Sequence, residues 1–159
     1  MRRRHPRLAW PWLLLFLALV LGGGWAIGTQ VRPDAWFRSL AKPAFNPPDA
    51  VFAPVWTILY ILIAIAGWRT FGRTAPGHRR AAVLWTLQLL LNFAWSPVFF
   101  GAHRIGLALA VIVALLLAIM AFIAATWRAD RPSALLFLPY AAWVAFATVL
   151  NAAFLALNR

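Results

Sequence analysis

Five long apolar stretches divide the chain, and short polar segments separate most of them. They run approximately over residues 8–28, 48–68, 81–100, 105–127 and 133–157. Each stretch supplies the roughly 20 residues that a helix needs to cross a hydrocarbon core of about 30 Å. The one long connection covers residues 29–47. This pattern predicts an all-α integral membrane protein, a bundle of five transmembrane helices that forms one domain over residues 1–159.

The composition of the chain supports a membrane protein. Hydrophobic residues make up 64% of the sequence and charged residues only 11%, whereas soluble domains carry about 25% charged residues. A net charge of +12 in a soluble protein would suggest nucleic acid as a partner. Here the basic residues lie between apolar stretches, where they can meet anionic lipid headgroups. We therefore expect a lipid bilayer as the partner and no nucleic acid.

The distribution of basic residues predicts an orientation. Ten of the 15 lysines and arginines lie in the N-terminal segment and in the second and fourth connections. By the positive-inside rule these segments face the cytoplasm and the long loop faces outward. In a bacterial cell this favours the inner membrane, with the outer membrane as the alternative. The apolar run after the N-terminal arginines is longer than a signal h-region and lacks an A-x-A site, so we expect a retained helix.

Six tryptophans lie near the ends of the predicted spans, where indole rings favour the headgroup boundary. They are Trp10, Trp12, Trp36, Trp68, Trp85 and Trp127.

Prolines mark the start of one span and the interior of three. Residues 46–49, with the sequence NPPD, are typical of a helix start, in which Asn46 caps the helix and the prolines occupy its first turn. Pro54, Pro97 and Pro139 fall inside spans. A proline inside a helix removes one backbone hydrogen bond and bends the helix. We therefore expect the second, third and fifth spans to be kinked.

Three spans carry aromatic and amide side chains on one face at helical spacing. They are Trp56 and Tyr60 on the second span, Gln88, Asn92, Trp95 and Phe99 on the third, and Tyr140, Trp143, Ala147 and Asn151 on the fifth. Amides and phenols are costly against lipid, so these faces turn inward. Taken singly, the three amides are explained by hydrogen bonds between helices. Together with the aromatic residues they predict a pocket for a planar ligand.

Few residues in the sequence suit catalysis or metal binding. The chain has no cysteine, its three histidines lie in or beside polar segments, and its three acidic residues lie in loops or near span ends. No nucleophile with a base, paired carboxylates or metal-ligand set is visible. We expect no catalytic residue, no metal site and no required cofactor.

These residues resemble the translocator protein or tryptophan-rich sensory protein (TspO/MBR) family. The resemblance lies in three ordered blocks, "RPDAWFRSLAKPAFNPPDAVFAPVWTILY", "LQLLLNFAWSPVFFGAHRIGLALA" and "LPYAAWVAFATVLN". It implies a five-helix membrane protein, often a homodimer, that binds porphyrins and other hydrophobic ligands in a pocket beneath the first long loop.

The resemblance also assigns roles to individual residues. Those that match pocket positions are Trp56, Gln88, Asn92, Trp95, Trp143 and Ala147, and those that match the loop-closing motif are Lys42, Pro43, Asn46, Pro47 and Pro48. Phe45 stands where the family usually has tryptophan. The C-terminal segment lacks the tyrosine of the animal sterol-recognition segment, so cholesterol is not expected as a ligand.

The leading functional hypothesis is a membrane receptor or carrier for tetrapyrroles such as protoporphyrin IX or haem, with a sensory, regulatory or transport role. In it Trp56, Trp95 and Trp143 stack on the macrocycle, while three cations of the loop attract its propionates. These cations are Arg32, Arg38 and Lys42. One alternative is an enzyme-like, light- and oxygen-dependent degradation of porphyrin. Another is a passive transporter of small molecules, because no acidic residue for proton coupling lies deep within a span.

Overall fold

The computed structural model of the protein describes residues 10–73 and 77–159. Its elements are α1 (Trp10–Gln30), α2 (Ala35–Ser39), α3 (Asp49–Phe71), α4 (His78–Ser96), α5 (Ile105–Thr126) and α6 (Arg131–Leu157). A π-helical turn, Pro97–Gly101, extends α4. Within the described residues no strand occurs, and five helices are long and apolar enough to cross a membrane. The predicted all-α, five-helix membrane fold is confirmed.

The long helices coincide with the predicted spans. When α4 is taken together with its π-helical turn, the described ends differ from the predicted ends by at most three residues. The start of the first span and the arginines before it lie in residues 1–9, outside the described residues. Part of the second connection, residues 74–76, also lies outside them.

The long loop contains the short helix α2, and Asp34 caps it. The Phe37 N–H donates to Asp34 Oδ1 at 3.0 Å, and His103 Nε2 lies 3.0 Å from Asp34 Oδ2. The bond from Phe37, assisted by the contact to His103, lowers the pKa of Asp34. The His103 ring also stacks on Trp36 at a centroid distance of 4.2 Å. These contacts fasten the loop to the connection between α4 and α5.

The same loop is fastened to the C-terminus. The Ala41 N–H donates to Asn158 Oδ1 at 2.9 Å, and Asn158 Nδ2 donates to the Ala41 carbonyl at 3.0 Å. This two-way bond holds the segment between α2 and α3 against the end of α6.

Asn46 does not cap α3, and Pro47 and Pro48 precede its first turn, so both parts of the prediction are wrong. The helix starts at Asp49, and its N-cap residue is Pro48, which makes no side-chain cap bond. Asn46 Nδ2 donates to the Pro47 carbonyl at 3.2 Å instead. The reason is the extended backbone of Pro48, with ψ of 142°, which keeps the asparagine side chain ahead of the first helical turn.

The three interior prolines have different effects. Pro54 and Pro139 lie inside helices that continue as α-helix on both sides. Pro97 starts the π-helical turn, in which the Ala102 N–H reaches the Pro97 carbonyl at 2.8 Å. A change of helix type therefore occurs at one of the three prolines.

Trp85 is buried in the protein core, so its predicted place at the headgroup boundary is wrong. Its side chain is only 3% exposed, and its indole N–H donates to the Ile63 carbonyl at 2.9 Å. The ring lies directly over Gly67, where a Cβ would overlap it. The glycine of α3 provides the space that a tryptophan of α4 fills.

Glycines allow α1 to pack closely against its neighbours. A Cβ at Gly23 would overlap the Phe93 ring, and one at Gly24 would overlap the Tyr60 ring. A Cβ at Gly22 would meet nothing within 4 Å. Two glycines of the GGG run therefore serve close helix contact.

We expect Gly24→Ala to destabilise the protein by about 2 kcal/mol, because the added methyl group displaces the Tyr60 ring from a packed interface. Gly22→Ala, on the same helix and two residues away, is the matched control and should cause no loss of stability. Thermal unfolding in detergent measures both variants. Equal unfolding midpoints for the two variants would show that the α1–α3 contact is not closely packed.

Candidate ligand-binding site

A chain of hydrogen bonds joins three helices in the interior. The Tyr60 hydroxyl of α3 donates to Asn92 Oδ1 of α4 at 3.2 Å. Asn92 Nδ2 donates to the Tyr140 hydroxyl of α6 at 2.8 Å, and that hydroxyl donates to Gln88 Oε1 at 2.9 Å. The chain ends where Gln88 Nε2 donates to the Trp85 carbonyl at 2.8 Å. Every polar side chain in this series has at least one partner from the protein.

A second polar pair lies nearer the long loop. Trp95 Nε1 donates to Asn151 Oδ1 at 3.0 Å, and Asn151 Nδ2 donates to the Ile105 carbonyl at 3.1 Å. Phe99 is buried and stacks on the Trp95 ring at 5.3 Å. The contacts of Gln88, Asn92 and Asn151 thus support the interpretation that amides bind helices to one another.

The remaining predicted pocket residues lie in two places. Trp56 belongs to the interior group, with its ring 5.3 Å from that of Tyr60 and 6.4 Å from that of Tyr140. Trp143 lies at the seam between α3 and α6, where its ring is 5.8 Å from that of Phe52. Ala147, one turn further along α6, is half-buried against the main core.

A groove of about 470 Å³ runs between α3 and α6. Its walls are formed by Val55, Ile58 and Leu59 of α3 and by Pro139, Ala142, Trp143 and Phe146 of α6. Its volume falls in the range of about 300–1,000 Å³ that is typical of ligand pockets. Ile58, Pro139 and Ala142 are exposed, so the groove opens on the outer surface of the helix bundle. Of the ten predicted pocket residues, Trp143 lines it.

Sequence reasoning missed six of the seven groove residues. The predicted pocket faces carry the polar and aromatic residues. Most groove residues instead precede a predicted pocket residue by one position on the same helix. The sequence contains only a weak signal for the groove. Pro139 and Ala142, three residues apart on α6, are small residues on the same side of the helix as the large ring of Trp143.

The long loop reaches the groove through Phe45. Its ring is 49% exposed and lies 6.3 Å from the ring of Phe146, which lines the groove. Pro43 is buried, Asn46 and Pro47 are half-buried, and Pro48 is exposed. The loop-closing motif therefore places one aromatic ring beside the loop end of the groove.

The three loop cations are all exposed. Lys42 Nζ lies 5.0 Å from the centroid of the Phe37 ring, and Arg38 donates to the Pro33 carbonyl at 3.5 Å. Together with Arg32 they give the outer surface of the loop a positive charge.

Metal ligands do not cluster in the part of the chain that the structure describes. There, no group of three or more histidine, cysteine, aspartate or glutamate residues is placed to hold a metal ion.

Comparison with known proteins identifies a family to which the chain is similar. The model of the TspO/MBR family matches residues 12–157. The tryptophan-rich sensory protein of Cereibacter sphaeroides is 38% identical over 149 residues, which cover 94% of this chain and 92% of that protein. Protein CrtK of Rhodobacter capsulatus is 37% identical over 138 residues, covering 86% and 85%. The translocator protein of Ovis aries is 38% identical over 154 residues, covering 91% and 89%.

The matches extend over all five membrane helices and the long loop, and they agree with the resemblance carried by the three sequence blocks. The chain belongs to the TspO/MBR family.

Proposed function

We propose that the protein is a membrane sensor or carrier that binds a tetrapyrrole, such as protoporphyrin IX or haem, in the groove between α3 and α6. The observation that carries the proposal is the volume and apolar lining of that groove, with the indole of Trp143 in its wall. A flat, apolar macrocycle gains most from such a surface, because it buries its faces against ring and aliphatic side chains. Relatives named sensory protein and translocator protein support a sensory or transport role.

The interior hydrogen bonds favour the groove over the space between the helices. A ligand placed among Trp56, Tyr60 and Tyr140 would have to separate phenol and amide groups that already bond to one another. Breaking such bonds away from water leaves donors and acceptors without partners, which is costly. The groove walls require no such rearrangement, and a hydrophobic ligand dissolved in the bilayer reaches them from the side.

The long loop supplies the polar end of this proposed site. Phe45 lies beside Phe146 at the loop end of the groove, and the exposed cations of the loop are at the same end of the bundle. Negatively charged propionates are stable at the headgroup level and not in hydrocarbon. We therefore infer that the macrocycle lies along the groove with its propionates toward Arg38 and Lys42.

Trp143→Ala should weaken protoporphyrin IX binding about tenfold, or by about 1.4 kcal/mol, because it removes an aromatic wall of the groove. Trp127→Ala is the control, since Trp127 is exposed at the end of α5 and lies away from the groove. Affinity is measured from the porphyrin absorbance, because tryptophan fluorescence itself changes in both variants. An unchanged affinity in folded Trp143→Ala would contradict the proposed site.

Ala142→Phe should reduce porphyrin binding by more than tenfold, because the phenyl ring fills the groove from its exposed side. The side chain points toward lipid space, so the variant should keep the unfolding midpoint of the original protein. Ala152→Phe, which adds the same ring at an exposed position of the same helix, should bind normally. If Ala142→Phe binds as tightly as Ala152→Phe, the ligand lies elsewhere, and the interior around Trp56 becomes the site to test.

A further inference from the structure

Two guanidinium groups share one carboxylate at the end of the bundle away from the long loop. Asp130 Oδ1 lies 2.6 Å from Arg69 Nη2 and 3.3 Å from Arg73 Nη2. The Ser133 hydroxyl donates to Asp130 Oδ2 at 2.5 Å. Because two cations face one anion, the cluster carries excess positive charge.

Several donors at this end are buried without a hydrogen-bond partner among the described residues. They are Trp68 Nε1, Arg69 Nε, Thr70 Oγ1 and Arg73 Nε. Buried polar groups are nearly always paired, and an unpaired donor is costly. Two of these four residues, Thr70 and Arg73, line the same small cavity, so their unpaired groups can share one acceptor.

Thr70 differs from other threonines in the long helices. Thr57, Thr86, Thr126 and Thr148 each donate to the carbonyl four residues earlier, at 2.7–3.0 Å. Thr70 is 4% exposed and its hydroxyl makes no such bond. Its O–H therefore remains available to a group outside α3.

A small cavity of about 20 Å³ lies beside this hydroxyl, and Thr70, Arg73, His78 and Asp130 are in its wall. A cavity of about 10–15 Å³ already admits one water-sized group. The start of α4 is also in the wall, and its N-cap residue, Gly77, has no side chain with which to cap the helix. A helix N-terminus carries partial positive charge and favours an anion.

We propose that this cavity binds one oxygen of a phosphate group, held by the Thr70 hydroxyl and the Arg73 guanidinium. The unpaired side-chain groups are donors, and a phosphate oxygen accepts hydrogen bonds without having to donate any. Asp130 lies in the cavity wall and its negative charge disfavours an anion, but the two guanidiniums that contact it outweigh that charge. The cavity admits one oxygen, and the rest of the phosphate lies at its mouth.

Such a phosphate has two sources, an anionic phospholipid headgroup or inorganic phosphate. The distribution of basic residues predicts that this end of the bundle faces the cytoplasm, where headgroup phosphates and free phosphate are both present. The site is separate from the α3–α6 groove and does not depend on tetrapyrrole binding.

The test compares the protein with Thr70→Val, which keeps the side-chain volume and removes the hydroxyl, and with Arg73→Gln. Thr86→Val and Arg128→Gln are the controls, because both positions are exposed and neither lines the cavity. One arm measures the unfolding midpoint in detergent with phosphate against chloride at equal ionic strength. The other measures retention of phosphatidylglycerol by native mass spectrometry after reconstitution with phosphatidylcholine.

We expect phosphate, phosphatidylglycerol or both to bind, and Thr70→Val to weaken that binding at least fivefold while both controls match the original protein. An effect of phosphate in detergent identifies the free ion as a ligand, whereas retention of phosphatidylglycerol without that effect identifies the headgroup. Thr70→Val decides the proposal even if Arg73→Gln fails to fold. Absence of both effects in the original protein, or equal effects in Thr70→Val and the controls, would overturn the proposal.

Discussion

A phenol or amide in hydrocarbon must find its hydrogen-bond partner within the protein, because water is not there to supply one. The chain from Tyr60 through Asn92 and Tyr140 to Gln88 meets this requirement across α3, α4 and α6. The geometry of hydrogen bonds fixes how these helices are rotated relative to one another. The packing of aromatic rings and the position of the groove follow from that rotation.

The helices pack closely where a glycine of one helix faces a large aromatic ring of the next. Gly24 of α1 faces Tyr60, and Gly67 of α3 faces Trp85. Lipid tails are as apolar as the helices themselves, so van der Waals contact has to hold membrane helices together in place of the hydrophobic effect. Small residues are valuable here because they let the rings of a neighbouring helix approach the backbone. The same ring of Tyr60 then takes part in both the packing and the hydrogen-bonded chain.

The two ends of the helix bundle carry different polar contacts. At one end Asp34, His103 and Asn158 fasten the long loop to the connection after α4 and to the C-terminus. At the other end Arg69 and Arg73 meet Asp130 and leave donors unpaired. At the loop end Phe45 lies beside Phe146, which lines the groove. The arginine end presents excess positive charge, which suits an anion from the lipid surface or from solution.

The sequence by itself determined the medium and the number of membrane helices. Hydrocarbon thickness sets the length of an apolar run, so this signal is local. The family could also be identified from ordered blocks of residues. The tertiary structure decided that Trp85 is buried, that Asn92 and Gln88 both bond the Tyr140 hydroxyl, and that the groove is lined by Val55 and Ala142 on faces next to the polar ones. Neighbouring positions on a helix point about 100° apart, so helical period alone selects a face only coarsely. The rotation of each helix against its neighbours settles which side chains meet, and that depends on contacts between residues far apart in the chain.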